Sequence, residues 1–89
     1  MIKKYHYSSL FERKLYLFPK EQRQIIIEEI NLFTQNSFEK SFNTHPLKEK
    51  YQGYYAFSID KNLRIMFRPK NPDFTEILFY DIGGHEIYK

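Results

Sequence analysis

The sequence predicts an α+β domain in which two helices pack on one face of a small antiparallel sheet. The first half of the chain carries apolar residues at helical spacing, whereas the second half carries segments in which apolar and polar residues alternate, as in strands. These segments are joined by short turns, and short turns imply antiparallel neighbours. The expected order is strand, helix, helix and then three strands (β-α-α-β-β-β), with the helices covering one face and the other face open.

The helices are expected over residues 9–17 and 21–35. Ser9 and Glu12 have the spacing of a capping box, with a serine at the cap and a glutamate three residues later. Pro19 separates the two segments and suits the start of the second helix. The apolar residues that share one face of the second segment, and are expected in the core, are Ile26, Ile30 and Phe33.

The strands are expected over residues 2–7, 54–59, 63–68 and 76–82. Residues 36–50 are predicted to form a loop, because they are polar and Pro46 bars regular helix. Arg64 and Arg68 share one side of their strand. Charged side chains avoid the helix-covered side, so both arginines are expected on the open face. Gly83 and Gly84 are expected to adopt backbone angles that other residues resist, and so to end the last strand sharply.

The composition indicates one cytoplasmic domain over residues 1–89. A chain of 89 residues has room for a single modest core, and its 19% of aromatic residues lets that core bury much area. The absence of cysteine excludes disulfides, cysteine zinc sites and thiol nucleophiles. No apolar run approaches the length of a membrane span, and no signal-peptide pattern follows Met1.

The net charge of +3 is mild but unevenly distributed. Residues 1–20 are basic, with Glu12 as their one acidic residue, and residues 21–40 carry more acidic than basic groups. A basic patch can attract RNA phosphates or an acidic partner, and the alternative is an ordinary solvated surface. The basic residues of the first segment are Lys3, Lys4, Arg13, Lys14 and Lys20.

Three short phrases in the second half place polar groups at the ends of predicted strands. They are Thr44-His45-Pro46-Leu47, Asn62-Leu63-Arg64-Ile65-Met66-Phe67 and Asp81-Ile82-Gly83-Gly84-His85-Glu86-Ile87-Tyr88. Two histidines, an arginine and a tyrosine are suited to breaking a phosphodiester without a metal. The three histidines of the chain lack the spacing of metal ligands, so neither a metal nor another cofactor is expected.

Together the phrases resemble the RelE/ParE superfamily of bacterial toxins from toxin–antitoxin pairs. The nearest likeness is to its mRNA-cleaving branch, typified by RelE, YoeB and YafQ, and the motifs cover residues 44–88. The resemblance implies a type II toxin that cleaves mRNA, in the family's usual setting on the ribosome. It also implies a cognate antitoxin protein as the partner, with no membrane and no small-molecule cofactor involved.

The resemblance assigns the chemistry to His85 and Arg64. His85 stands where toxins of this superfamily place a catalytic histidine or arginine, and histidine is the usual general acid or base near neutral pH. Arg64 matches the family's strand arginine, whose fork of donors holds the phosphate. The alternatives are a turn histidine without a role and an arginine paired with Asp81 or Asp60.

His45 matches a YafQ-like phrase in which that histidine is linked to cleavage, so it is a candidate base, with Asp60 or Lys50 assisting. The alternative is a loop histidine that shields the sheet edge. The YafQ pattern also has a histidine in the strand before Asp60, and this sequence has Ser58 and Ile59 there instead.

Tyr88 is expected to stack on a base or contact the phosphate, as the terminal aromatic residue does in RelE-like toxins. The alternative for Tyr88 is packing against the helices. Lys48, Lys50 and Arg68 are expected phosphate contacts, and solvated surface charge is the alternative for the lysines.

Two other functions are compatible with the same fold. One is inhibition of DNA gyrase without any cleavage, as in the ParE branch, although that branch does not rely on residues such as His45, His85 and Tyr88. The other is a catalytically inactive relic that is retained for its complex with the antitoxin.

Overall fold

The computed structural model describes residues 1–88, and within this range the α+β prediction is confirmed. The helices are α1 (Ser9–Leu17) and α2 (Lys20–Gln35). The strands are β1 (Lys4–Tyr7), β2 (His45–Pro46), β3 (Tyr55–Ser58), β4 (Arg64–Pro69) and β5 (Glu76–Gly83). Short 3-10 turns cover Lys40–Phe42, Glu49–Tyr51 and His85–Tyr88, and the last of these is called the C-terminal turn below.

The sheet is mixed and not wholly antiparallel. Its order is β1-β5-β4-β3-β2, and β1 runs parallel to β5 while every other pair is antiparallel. Short turns dictate antiparallel pairing only between strands that follow each other directly. β1 is separated from β5 by most of the chain, so the turn lengths place no such limit on this pair.

Part of the predicted loop over residues 36–50 forms the edge strand β2. His45 pairs with Ala56, Pro46 pairs with Tyr55, and the Leu47 N–H donates to the Tyr54 carbonyl at 2.9 Å. A proline is tolerated on an edge strand because no neighbour is waiting for its missing N–H. This pairing brings His45 into register with the sheet.

Ser8, and not Ser9, caps α1. Its hydroxyl accepts a hydrogen bond from the Phe11 N–H at 3.0 Å and donates one to the Tyr80 carbonyl at 2.7 Å. β1 pairs with β5 only over residues 76–79, so Ser8 satisfies a carbonyl of β5 just beyond the end of β1. The same hydroxyl therefore starts the helix and protects an exposed sheet edge.

Aromatic side chains fill the core between the helices and the sheet. Phe33 of α2 stacks on Phe57 of β3 with ring centroids 3.7 Å apart. Phe67 and Phe79 approach Phe33 from β4 and β5 at 5.2 and 6.2 Å. The predicted stripe of α2 is buried here, as are the other members of the core that have no exposed surface at all: Phe11, Phe57, Ile65, Phe67, Ile77 and Phe79.

The opposite face of the sheet, here called the helix-free face, carries the side chains that alternate with the core residues: Ala56, Arg64, Met66 and Arg68. The prediction that both arginines lie on this face is confirmed. The centre of this face is nevertheless covered and not open to solvent, because Ala56 and Met66 are fully buried. The C-terminal turn contacts β4 and β5, so the chain folds back on its own sheet after β5.

Candidate functional site

The C-terminal turn is held in place by a close contact with the end of β5. Ile87 is buried, and a Cβ atom on Gly83 would lie only 2.6 Å from the Ile87 Cγ2 atom. The expectation of unusual backbone angles at Gly83 and Gly84 is wrong, since Gly53 is the one glycine of residues 1–88 with a positive φ. Gly83 is required for space, because any side chain there would displace the turn.

Tyr88 brings the two candidate histidines together. Its ring centroid lies 5.0 Å from that of His85 in the same turn and 6.4 Å from that of His45 on β2. His85 is exposed, and Tyr88 and His45 are half-buried. The alternative in which Tyr88 packs against the helices is therefore not found, and the two imidazoles flank one phenol ring.

His45 is oriented by the backbone of the preceding turn. Its Nδ1 atom lies 2.7 Å from the Asn43 carbonyl oxygen. A carbonyl can only accept, so Nδ1 carries a proton and donates it. In the neutral imidazole this leaves the Nε2 atom with a free lone pair, which is the form needed in a general base. Asn43 adopts a left-handed conformation (φ 49°), which asparagine tolerates better than most residues.

Arg64 lies beside the start of the C-terminal turn. It pairs with Gly83 on β5 and with Ser58 on β3. Its guanidinium makes one long hydrogen bond, from Nη1 to the Lys61 carbonyl at 3.5 Å. Within residues 1–88 no carboxylate pairs with it, so its fork of donors faces solvent on the helix-free face.

Both carboxylates considered as partners of Arg64 are engaged elsewhere. The Asp81 carboxylate accepts from the Lys14 ammonium at 2.7 Å and from its neighbour's N–H, that of Ile82, at 2.8 Å. Asp60 Oδ1 accepts the N–H groups of Asn62 and Leu63 at 2.8 and 2.9 Å. Asp60 thus shapes the turn between β3 and β4, and the structure brings it into contact with neither histidine of the cluster.

The three predicted phosphate contacts lie around this cluster and not in it. Lys48 and Lys50 are exposed, and the Lys50 ammonium lies 5.3 Å from the centroid of the Tyr51 ring. Arg68 is exposed on the helix-free face, two pleats along β4 from Arg64. These exposed cations could contact phosphates next to a reacting one.

Sequence reasoning missed the residues that position the site. Asn43 orients His45, and Ile87 holds the turn that carries His85 and Tyr88 against Gly83. The apolar Ile87 between polar neighbours was the one available sign that this turn packs on the sheet.

Residues 1–88 contain neither a cluster of metal ligands nor a membrane-spanning helix. No three histidine, cysteine, aspartate or glutamate side chains lie close enough together to hold a metal ion. No helix in this range has the length and hydropathy needed to cross a bilayer.

Solved structures with the same fold exist, although the sequence matches no protein-family model and no curated protein sequence. The crystal structure of YafQ from E. coli is 16% identical with a TM-score of 0.75, and 94% of each chain is covered. The YoeB/ParE toxin from Agrobacterium tumefaciens is 15% identical with a TM-score of 0.74, over 92% of this chain and 98% of the toxin. A chain of the toxin–antitoxin complex RelBE2 from Mycobacterium tuberculosis is 13% identical with a TM-score of 0.69, over 96% of this chain and 100% of that one. Likeness at this level of identity establishes a shared fold, and the fold expected from the three phrases is confirmed.

Proposed function

We propose that this chain, which has the fold of the RelE, YoeB and YafQ toxins, is the toxin of a type II toxin–antitoxin pair and cleaves mRNA without a metal. One observation carries the proposal. His45 and His85, which are far apart in the sequence, both contact the Tyr88 ring, and the unpaired Arg64 borders the turn that holds two of the three. A general base, a general acid and a phosphate-binding cation thus lie on one face of the sheet.

The first half of the proposed reaction is an attack within the RNA itself. The Nε2 atom of His45 takes the proton of a ribose 2′-OH, and the 2′ oxygen attacks the adjacent phosphorus. A nucleophile that belongs to the substrate already stands next to the phosphate, so positioning supplies much of the rate and no metal-activated water is required. Asp60 takes no part, because its carboxylate is committed to the turn between β3 and β4.

The second half is departure of the 5′ oxygen. His85 in its protonated form donates a proton to that oxygen as the P–O5′ bond breaks, and the products are a 2′,3′-cyclic phosphate and a 5′-OH. Arg64 neutralises the charge that the phosphate oxygens gather in the transition state, and its unpaired donors require no other bond to be broken first. Tyr88 positions the substrate between the two histidines.

The proposed setting is the cytoplasm, on mRNA in the ribosome, with an antitoxin as the inhibitor. Several of the similar structures are complexes, among them the E. coli DinJ-YafQ toxin-antitoxin complex and the YoeB-YefM toxin-antitoxin complex from Staphylococcus aureus. They support a protein partner for this chain, whereas the RNA rests on the chemistry of the site and the ribosome rests on the resemblance to the mRNA-cleaving toxins alone.

Mapping mRNA ends after incubation of the pure protein with translating ribosomes tests the proposal. We expect new 5′-OH ends that depend on His85 and Arg64. The gyrase alternative predicts intact mRNA and a loss of DNA supercoiling by gyrase. The relic alternative predicts neither effect but retained binding of the antitoxin.

A further inference from the structure

A row of three tyrosines crosses the helix-free face next to the histidine cluster. The Tyr51 and Tyr54 ring centroids are 6.0 Å apart, and those of Tyr54 and Tyr80 are 5.2 Å apart. Both contacts are edge-to-face, with interplanar angles of 80° and 61°. Residues 51, 54 and 80 are called the tyrosine row below.

The strand geometry places this row beside the proposed reaction centre. Tyr55 packs into the core, so Tyr54 points to the opposite, helix-free face. Tyr54 precedes Ala56 by two residues, a distance of about 7 Å along β3. Ala56 is the residue that pairs with His45. Tyr80 reaches the same face because it is the extra residue where the register of β4 and β5 shifts between Met66 and Phe67.

The rings are accessible and their hydroxyls are unused. All three tyrosines are half-buried, and none of their hydroxyls makes a hydrogen bond within residues 1–88. The aromatic core lies on the other side of the sheet, so these rings do not complete it. An aromatic row that is neither core nor hydrogen-bonded presents π surface to whatever lies on the face.

Positive charge accompanies the row. Lys50 lies over the Tyr51 ring, and Arg68 is exposed on the strand between Tyr54 and Tyr80. Alternating aromatic rings and cations are the surface that single-stranded nucleic acid requires, since the bases stack on the rings while the cations follow the phosphates. A folded duplex would keep its bases stacked on each other and would not engage the rings.

We infer that the tyrosine row is a stacking site for the unpaired bases next to the scissile phosphate, with Lys50 and Arg68 on the flanking phosphates. The inference rests on the proposed RNA cleavage for the identity of the ligand. It makes Tyr54, at the centre of the row, the residue that holds the RNA strand in register with His45.

The test measures binding of a substrate that cannot be cut. A fluorescent single-stranded RNA of about ten nucleotides, fully 2′-O-methylated so that no attacking hydroxyl remains, is titrated with protein and followed by anisotropy. Tyr54→Leu keeps an apolar side chain but removes the ring, and we expect its Kd to rise about 5- to 150-fold, the loss of one base stack. Tyr54→Phe should bind within about twofold of the unaltered protein, because stacking needs the ring and not the hydroxyl.

Two further variants serve as controls for this binding test. Tyr16→Leu is the control: Tyr16 has a cation over its ring as Tyr51 does, Arg23 at 5.0 Å, but it is exposed in the helical layer and its loss should leave binding unchanged. Tyr51→Leu, at the outer end of the row, repeats the test at a ring that lies beside Tyr54 and Lys50. If Tyr54→Leu lowers the thermal midpoint, its weaker binding could reflect unfolding, and the binding of the Tyr51→Leu protein then decides the test.

The outcomes separate this inference from the proposed function. Binding that is equal for Tyr54→Leu, Tyr54→Phe and the unaltered protein, or as tight for a duplex as for the single strand, overturns the stacking site while leaving cleavage of mRNA intact. Ring-dependent binding by a protein that cuts no mRNA would support the stacking site and overturn the proposed function. A row that binds no oligonucleotide but whose leucine variants weaken a protein partner would be a protein interface, which also overturns the inference.

Discussion

At the scale of single residues, the carboxylates near the site have strong intramolecular partners, whereas the candidate catalytic side chains of Arg64 and His85 do not have such partners within residues 1–88. Asp60 and Asp81 are carboxylates near the site, and both are committed, one to backbone N–H groups and one to Lys14. Arg64 and His85 have no such commitment and face solvent. Buried polar groups need partners, whereas groups that meet a substrate must be available to it.

Replacing His85 with alanine should abolish cleavage without disturbing the fold. His85 is exposed, and within residues 1–88 its one ring contact is with Tyr88, so the thermal midpoint should barely move. We expect mRNA cleavage to fall about 100-fold or more, the usual scale for loss of a general acid. His6→Ala is the control, since His6 bonds to Glu76 away from the cluster, and its activity at neutral pH should be unaffected. Full growth inhibition by the His85→Ala protein in cells would contradict the assignment.

Replacing Arg64 with lysine keeps the positive charge and removes the bidentate fork. Cleavage should fall strongly, while the urea midpoint should stay within error because Arg64 has only its long bond to the Lys61 carbonyl to lose. Arg13→Lys, at an exposed position on α1, is the matched control, because it makes the same arginine-to-lysine substitution away from the proposed site. An Arg64→Lys protein that is markedly less stable would show that Arg64 supports the fold instead of the reaction.

At the scale of elements, the C-terminal turn decides whether the site exists. It carries His85 and Tyr88, and its position depends on a methyl group of Ile87 packed where Gly83 has no side chain. The edge strand β2 supplies the third member, His45, by pairing with β3. Neither element is long, so each depends on its contacts with the sheet for its position.

The two glycines before the turn should respond differently to alanine. In Gly83→Ala the new Cβ would lie 2.6 Å from the Ile87 methyl, so the turn must move. We expect a loss of about 1–3 kcal/mol in the free energy of unfolding, measured by urea titration. Cleavage should fall by about 100-fold, since small displacements of reacting groups are that costly. In Gly84→Ala the new Cβ would lie 2.5 Å from the Oε1 atom at the end of the exposed Glu86 side chain, which can shift at less cost than the buried Ile87, so both losses should be smaller. Equal effects of the two substitutions would argue against the contact with Ile87.

The hydrogen bond between His6 of β1 and Glu76 of β5 should make the stability of the protein sensitive to acid. The hydrogen bond from His6, at 2.6 Å, lowers the pKa of Glu76 below its usual value of 4.5. A lowered pKa means that the folded state favours the carboxylate, so this stabilisation is present above pH 4.5 and is lost as the pH falls below that value. In His6→Ala, the urea midpoint should decline less steeply from about pH 5 to pH 3 than in the unaltered protein. Part of the decline should remain, because hydrogen bonds from Thr75 also lower the pKa of Asp73. Identical pH profiles would refute a role for His6.

At the scale of the whole molecule, the two faces of the sheet differ in what covers them. The helices and the aromatic core occupy one face of the sheet, and the candidate residues gather on the other. An inhibitor that spares the fold therefore has to reach the helix-free face or move the C-terminal turn.

A cognate antitoxin should bind tightly and cover His85 or displace the turn that bears it. The expected partner has an acidic, amphipathic segment that is disordered alone and folds on this surface. The basic cluster of residues 3–20 offers complementary charge, although Lys14 of that cluster already pairs with Asp81. Part of the affinity should weaken with salt, because exposed charges are screened beyond about 10 Å at 0.1 M. Hydrogen exchange of the complex with the small protein encoded beside it tests this, and a partner that binds elsewhere and leaves cleavage intact would refute it.

The sequence by itself determined what depends on local spacing. The extent of α1, the core stripe of α2, the three later strands and the sides on which Arg64 and Arg68 lie all follow from the period at which apolar residues recur. That period is a property of neighbouring residues, so it can be read along the chain without knowing what packs against it.

The tertiary structure alone decided what depends on distant partners. The parallel place of β1 beside β5, the choice of Ser8 as the cap and the edge strand at His45 each rest on a contact with a distant strand. The same holds for the turn seated by Ile87 on Gly83, which no local period could reveal. Hydrogen bonds and packing between remote segments select one arrangement among several that the local pattern allows, and the meeting of His45 with Tyr88 is the result of that selection.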